Sequence, residues 1–276
     1  MLHLWFTEEQ TPRLSISCLV KETVYREKTK YQDLAVLDTY EYGRMLILDG
    51  VIMTTEADEF FYHEMLIHVA LNTHPQPEQV LVIGGGDGGS VREVLKHPQI
   101  KRVVLAEIDE GVVQAAKKYL PSISRGLLDP RVMVEITDGL VYVKKHPAEF
   151  DIIIVDSTDP VGPAVGLFAR EFYQDVSQAL REEGIMVAQT ESPVVNREMI
   201  RKIWANLKGI FPITRMYLGV VPTYPTGLWS YTLGSKGPDP LAVPVEELCS
   251  RETKYYTPQQ HRAAFILPPF VQELLK

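Results

Sequence analysis

The fold class this chain predicts is α/β: a mostly parallel sheet with helices on both faces, preceded by a small antiparallel β N-terminal domain. Three observations predict it. Residues 1 to about 55 carry partial strand alternation and hairpin turns, with no alternation of strand and helix. From Val80 onward, apolar runs of strand length alternate with segments of helix length, the signature of a parallel sheet. At the start of that region, Val80-Leu-Val-Ile83 runs straight into Gly84-Gly-Gly-Asp87-Gly-Gly89, five glycines interrupted by one carboxylate.

The elements follow in order. Leu14 to Lys28 and Tyr31 to Asp38 read as strands, and Tyr40-Glu-Tyr-Gly43 as a turn. Arg44 to Leu48 and Val51 to Thr55 flank Asp49-Gly50, a strong hairpin signal because both turn residues tolerate positive φ. This places a domain boundary near residue 55, with a β-rich unit over 1–55 and a catalytic-type α/β unit over 56–276. Glu56 to Asn72 has a helical period, with Phe60, His63, Ile67 and Leu71 on one stripe. Strands are expected at Val80–Ile83, Arg102–Glu107, Val132–Ile136, Asp151–Val155 and Gly184–Gln189. Helices are expected at Gly88–Lys96, Glu110–Tyr119, Gly139–Lys144, Ala169–Leu180 and Asn196–Leu207. Thr214–Val220 and Trp229–Gly234 suit an antiparallel pair at one sheet edge, and the proline-containing end suits short surface helices.

Composition narrows the functional classes. With 276 residues and a formal net charge of −8, the chain is a poor match for nucleic acid. The acidity suits a cationic small molecule, and equally suits plain solubility. Cys18 and Cys249 lie far apart without metal-ligand spacing, so reduced thiols in a cytoplasmic setting are expected. The start, MLHLWFTEEQ, lacks the basic and apolar regions of a secretory signal, and no apolar run approaches bilayer length.

Ligands of such sheets bind at the carboxyl ends of the strands. Here five successive ends carry acids: Asp87, then Glu107 and Asp109, then Asp138, then Asp156 and Asp159, then Gln189 with Glu191. Asp87 would repel the phosphate that a glycine loop usually cradles, and it suits a ligand bearing positive charge. Glu107, 18 residues past Gly89, stands where an acid accepts hydrogen bonds from ribose hydroxyls. Asp109 precedes Glu110-Gly-Val-Val and reads as a helix cap. Asp138-Gly139 fits either a cap or an adenine-reading turn. Asp156-Ser-Thr-Asp159-Pro delivers two carboxylates after an apolar strand, and the Gly/Pro-rich loop behind it could close over a substrate. His63-Glu64-Met-Leu-Ile-His68 superficially resembles a zinc helix. Its histidines are five residues apart, about 140° around the helix, where zinc ligation needs four, so no metal is expected.

Taken together, VLVIGGGDGGSVREV, LAEID, TDG, DSTDPVGP, AQTES and Pro222-Thr-Tyr224-Pro-Thr-Gly, with Gln32 and Tyr62-His63-Glu64 upstream, resemble the polyamine aminopropyltransferases over nearly the whole chain. The resemblance implies a Rossmann-like, methyltransferase-type catalytic domain. It also implies transfer of an aminopropyl group from decarboxylated S-adenosylmethionine to putrescine, giving spermidine and 5′-methylthioadenosine. By the same resemblance Asp87 holds the amine of the aminopropyl arm and Glu107 the ribose. Asp138 and Gly139 hold the adenine, with Pro163 against it, and Gln32 and His63 line the pocket. Asp156 is the general base. Asp159, Gln189 and Glu191 anchor the diamine between Tyr62 and Tyr224. Thr158 replaces a serine common in the family and keeps its hydroxyl. No metal or redox cofactor is implied, and a homodimer or homotetramer is.

The chemistry is consistent with the residues. A sulfonium donor leaves as a neutral thioether and needs no acid. A primary amine of pKa near 10 is only about 0.1% free base at pH 7, a penalty of about 4 kcal/mol, and a carboxylate at the attacking nitrogen can accept that proton and orient the lone pair. Three alternatives remain open on the sequence. A methyltransferase would share the fold and Glu107 but not need the Asp156/Asp159 pair. A dinucleotide dehydrogenase fits Gly84, Gly86 and Gly89 but would face a pyrophosphate with Asp87. A polyamine sensor would have no use for Asp156. Cadaverine, agmatine and spermidine are the competing acceptors.

Overall fold

The computed structural model describes residues 3–158 and 162–276. Two sheets organise them. The first is an antiparallel meander of β1 (Leu4–Thr11), β2 (Leu14–Lys28), β3 (Asp33–Thr39), β4 (Gly43–Leu48) and β5 (Val51–Thr55), ordered as in the chain. The β4–β5 turn places Asp49 at φ 49° and Gly50 at φ 84°, as the Asp-Gly signal requires. The edge strand β1 was not individually legible. It presents Trp5 and Leu4 to solvent, so its alternation gives no clean apolar face.

The second sheet has seven strands in the order β11-β12-β10-β9-β6-β7-β8. Here β6 is Gln79–Gly84, β7 Arg102–Glu107, β8 Val132–Ile136, β9 Phe150–Asp156, β10 Leu180–Gln189, β11 Ile213–Val220 and β12 Leu228–Ser235. The strands β8, β7, β6, β9 and β10 are parallel, and β12 and β11 close the other edge antiparallel. The central strands are buried on both faces, which explains their unbroken apolar runs. Val80, Val82, Val103, Leu105, Ile152 and Ile154 pack on one side. Leu81, Ile83, Val104, Ala106, Ile153 and Val155 pack on the other.

The helices are α1 (Glu59–Thr73), α2 (Gly89–Leu95), α3 (Glu110–Tyr119), α4 (Pro121–Ser124), α5 (Gly139–Lys145), α6 (Arg170–Ala179), α7 (Arg197–Lys208), α8 (Pro258–Ala264) and α9 (Pro269–Gln272). Helices α1 and α2 cover the first face, and α5, α6 and α7 the second. The antiparallel sheet docks through Leu34, Val36, Leu46 and Leu48 onto Val112 and Ala115 of α3.

Two expectations need correction. Helix α1 buries nearly its whole circumference rather than one stripe. The C-terminal segment is not simply a surface element, because it supplies the cover: Glu64 of α1 accepts backbone N–H bonds from Lys254, Tyr255 and Tyr256. Tyr256, His261 and Ala264 are accordingly buried. Three backbone donors satisfy a carboxylate that would otherwise be expensive to hide.

Candidate active site

The chain leaves β6 for β7 on one side and later returns to place β9 on the other, so β6 and β9 flank the switch point where such sheets bind ligands. The register pairs Gly84 with Asp156. That closeness requires glycine: a Cβ on Gly84, at φ +75°, would lie 2.2 Å from the Asp156 carbonyl oxygen, and one on Gly85 would lie 2.5 Å from its carboxylate. The glycine loop therefore makes room for Asp156 as well as for a ligand.

Asp156 is buried, and both its oxygens are held. Tyr62 donates its hydroxyl to Oδ1 at 2.7 Å, and Ser90 donates to Oδ2 at 2.6 Å. Each oxygen keeps a lone pair for a further donor. Asp87 sits one loop turn away, accepting the Gly89 N–H at 2.7 Å, with His63 Nε2 at 3.5 Å. Burial raises the Asp87 pKa and the Asp156 charge adds to this, while His63 and the Gly89 N–H oppose it. Burial pushes Glu107 up to about 7 against the pull of backbone N–H groups, among them those of Asp109 and Gly86.

These groups open into a cavity of about 410 Å³. The sequence-derived Gln32, Tyr62, His63, Asp87, Glu107, Asp138, Gly139, Asp156, Gln189 and Tyr224 all line it. Asp138 also caps α5 through the Leu140 N–H, so its two readings coexist. Asp109 caps α3 and in addition accepts the Gln32 side-chain amide at 2.9 Å, which fixes Gln32 across the two sheets. Gln189 donates to the Ser157 carbonyl. Glu191 is not among the described residues lining the cavity. It is buried, at φ 72°, and accepts the Asn196 amide. Asp159 and the Pro163 side chain lie outside the described residues. The turn over Gly162–Phe168 contributes Ala164 and Leu167 to the wall.

Sequence reading missed Ser90, which holds Asp156, and the lining residues Trp229 and Glu8, Glu9 and Gln10 of β1. Ser90 abuts the glycine loop and was within reach of a local argument. Trp229 stacks edge-on to Tyr224 at 4.8 Å, and β1 arrives from the other sheet; neither placement leaves a local signal. Among the described residues, the cavity lining contains no lysine or arginine, and His63 is its one basic side chain. His68 turns away from the cavity, to His97 at 2.9 Å and Glu93 at 2.9 Å, so the two histidines of α1 do not converge.

Fold and site together define a methyltransferase-type α/β protein whose ligand crevice is built from carboxylates. Comparison with known proteins sharpens this. Residues 4–56 match the spermidine synthase tetramerisation domain, and residues 59–242 the spermine/spermidine synthase domain. The polyamine aminopropyltransferase of Thermoanaerobacter sp. (strain X514) is 58% identical over 273 residues, 99% of either chain. That of Caldicellulosiruptor bescii is 56% identical over 275 residues, 100% of this chain and 99% of the relative. A crystal structure of spermidine synthase in complex with the transition state analogue AdoDATO superposes with a TM-score of 0.95 at 42% identity, covering 100% of this chain and 96% of the other. Spermidine synthase from Thermotoga maritima superposes at 0.92 with 41% identity, covering 100% and 95%. The chain belongs to the spermine/spermidine synthase family and is an aminopropyltransferase. Among the described residues, no helix is long and apolar enough to cross a membrane.

Proposed function

We propose that this enzyme transfers the aminopropyl group of decarboxylated S-adenosylmethionine to putrescine, with Asp156 as general base. The observation that carries the proposal is the placement of Asp156: buried, oriented by Tyr62 and Ser90, and set in an acidic cavity among the glycine loop and the aromatic wall. The acceptor nitrogen attacks the carbon bound to the sulfonium. The new C–N bond forms as the C–S bond breaks, the electron pair stays on sulfur as a neutral thioether, and Asp156 accepts the proton from nitrogen. Asp87 binds the amine of the aminopropyl arm. Glu107 binds the ribose hydroxyls, and Asp138, Gly139 and Pro163 the adenine, with Gln32 and His63 between the two substrates. Asp159 and Gln189 hold the distal ammonium of the diamine, with Glu191 in the same motif as Gln189, and Tyr62 and Tyr224 flank its methylenes.

No metal or redox cofactor enters this scheme; the nucleoside is a co-substrate. The match of residues 4–56 to a tetramerisation domain and the exposed Leu4 and Trp5 on edge strand β1 support a homodimer or homotetramer. The free thiols Cys18 and Cys249 support a cytoplasmic setting.

The test is an end-point assay with decarboxylated S-adenosylmethionine and putrescine, cadaverine, agmatine or spermidine offered separately, with Asp156→Asn in parallel. Methylthioadenosine release with putrescine, reduced about 10²- to 10⁴-fold in the variant, is expected. Release with another amine would reassign the acceptor. Full activity in Asp156→Asn would remove it as base.

A further inference from the structure

A continuous chain of buried ionic contacts runs from the cavity into the interior between α1 and α2. His63 Nδ1 lies 2.6 Å from Glu59 Oε2, and Arg92 Nη2 lies 2.7 Å from the same oxygen. Arg92 also meets Glu93 Oε1 at 2.9 Å, and Glu93 Oε2 is held by His68 at 2.9 Å and Lys96 at 2.7 Å. The charges alternate along this path, and its cavity end is the His63 ring. That ring is wedged in place, since a Cβ on Gly89 would come within 2.2 Å of it.

A cation in a pocket for cationic substrates needs a reason. The groups facing His63 supply one. Glu59 and Tyr62 face it from its own helix, Asp87 from the glycine loop, Asp156 from the end of β9, and Arg92 from α2 behind Glu59. The Asp156 charge bears on buried Asp87, and a positive charge beside them offsets that repulsion. We propose that Glu59, clamped by Arg92, is a positioning residue that keeps the His63 ring charged and fixed beside Asp87, so that a positive charge offsets the cavity acids before substrate arrives. The inference rests on the aminopropyl-transfer reading of the cavity. It makes His63 a neutralising group beside Asp87 rather than a proton acceptor, with its proton held and oriented by a carboxylate that touches neither substrate.

The electrostatics agree with the geometry. Burial alone would lower the His63 pKa, but Asp87, Glu59 and Asp156 outweigh it and raise it to about 9. Burial would raise Glu59, but His63 and Arg92 overcome it and bring it down to about 2.

The experiment is a pH titration of imidazole ¹⁵N resonances on the whole unliganded protein, with the His63 signal assigned by its loss in His63→Asn. The wild-type ring is expected to stay protonated through pH 8. In Glu59→Gln its midpoint should fall by about two pH units. The pH profile of kcat/KM should then differ from the wild-type profile by one added inflection at that new midpoint. A wild-type midpoint near 6.5, or a midpoint unmoved in Glu59→Gln, would overturn the proposal, as would an activity loss in Glu59→Gln with an unchanged profile. If Glu59→Gln does not fold, the wild-type titration decides: a midpoint near 9 supports the proposal and one near 6.5 overturns it. If no amine is a substrate, the aminopropyl-transfer reading fails, while the titration still judges Glu59 and His63.

Discussion

Two pairs of buried acids in this enzyme behave in opposite ways. Glu59 and Glu93, between α1 and α2, are 7% and 1% exposed, and Asp87 and Glu107, at the strand ends, are both 8% exposed. Hidden equally from water, the first pair is held below the usual carboxylate range and the second is raised above it. The difference lies in partners. Glu59 and Glu93 share Arg92 and have His63, His68 and Lys96 as well. Glu107 has only backbone N–H groups, and Asp87 has one N–H and the edge of His63. The interior region is electrostatically complete within the chain. The strand-end region is incomplete, and a ligand carrying positive charge or hydroxyl donors would complete it. The contrast separates acids that serve the fold from acids that await a substrate.

The largest expected effect tests the strand-end side. Ordinary S-adenosylmethionine adds a carboxylate to the arm that Asp87 would bind. At about 4 Å and an effective dielectric near 20, that contact costs about 4 kcal/mol, roughly a thousandfold in affinity. Asp87→Asn should therefore erase most of the preference for the decarboxylated donor, read as the ratio of kcat/KM for the two donors. An unchanged ratio would show that another group sets this selectivity.

Next comes the interior side. Arg92→Gln leaves Glu59 and Glu93 buried without their shared guanidinium, and urea denaturation should show a loss of about 3 kcal/mol. Arg102→Gln removes a pair with Glu149 in which both side chains are about a third exposed, and should lose about 0.5 kcal/mol or less. Equal losses would break the distinction between interior and surface pairs.

Glu107 gives a smaller effect, with a sign. Its pKa is raised from 4.5 to about 7, so the folded state resists its deprotonation. Its contribution to stability is therefore present below about pH 4.5 and is lost as pH rises towards 7. Glu107→Gln lacks this loss. The Tm of the variant minus that of the wild type should become more positive between pH 5 and pH 8, by the equivalent of about 2 kcal/mol. For Glu59, with its depressed pKa, the carboxylate stabilises the fold at neutral pH and loses that effect only on acidification towards about 2. A pH-independent difference for Glu107→Gln would show that its carboxylate is already compensated in the fold.

Legibility followed the range of the physics. The apolar tetrads of β6 and β9 are local patterns, and their ends located Asp87 and Asp156 correctly in the crevice. The Asp-Gly turn and the Asp109 cap are set by neighbouring backbone, so they were legible too. The second task of Asp109, holding Gln32, depends on a residue 77 positions away, and nothing local announces it. Glu191, in the same motif as Gln189, accepts the Asn196 amide from a backbone position of positive φ, and the motif does not announce that contact. The full burial of α1 was missed because the segment that covers it begins about 180 residues later.

By itself the sequence determined the α/β class, the strand ends and the acidic character of the crevice, since apolar runs of strand length and turn chemistry act over a few residues. Tertiary structure alone decided which acids are partnered. The strand order brings Gly84 against Asp156, and the packing of α1 on α2 brings Arg92 to Glu59 and so sets the charge of His63. The reason is that a buried carboxylate's properties depend on what lies within a few ångströms of it, and folding, not spacing along the chain, chooses those neighbours.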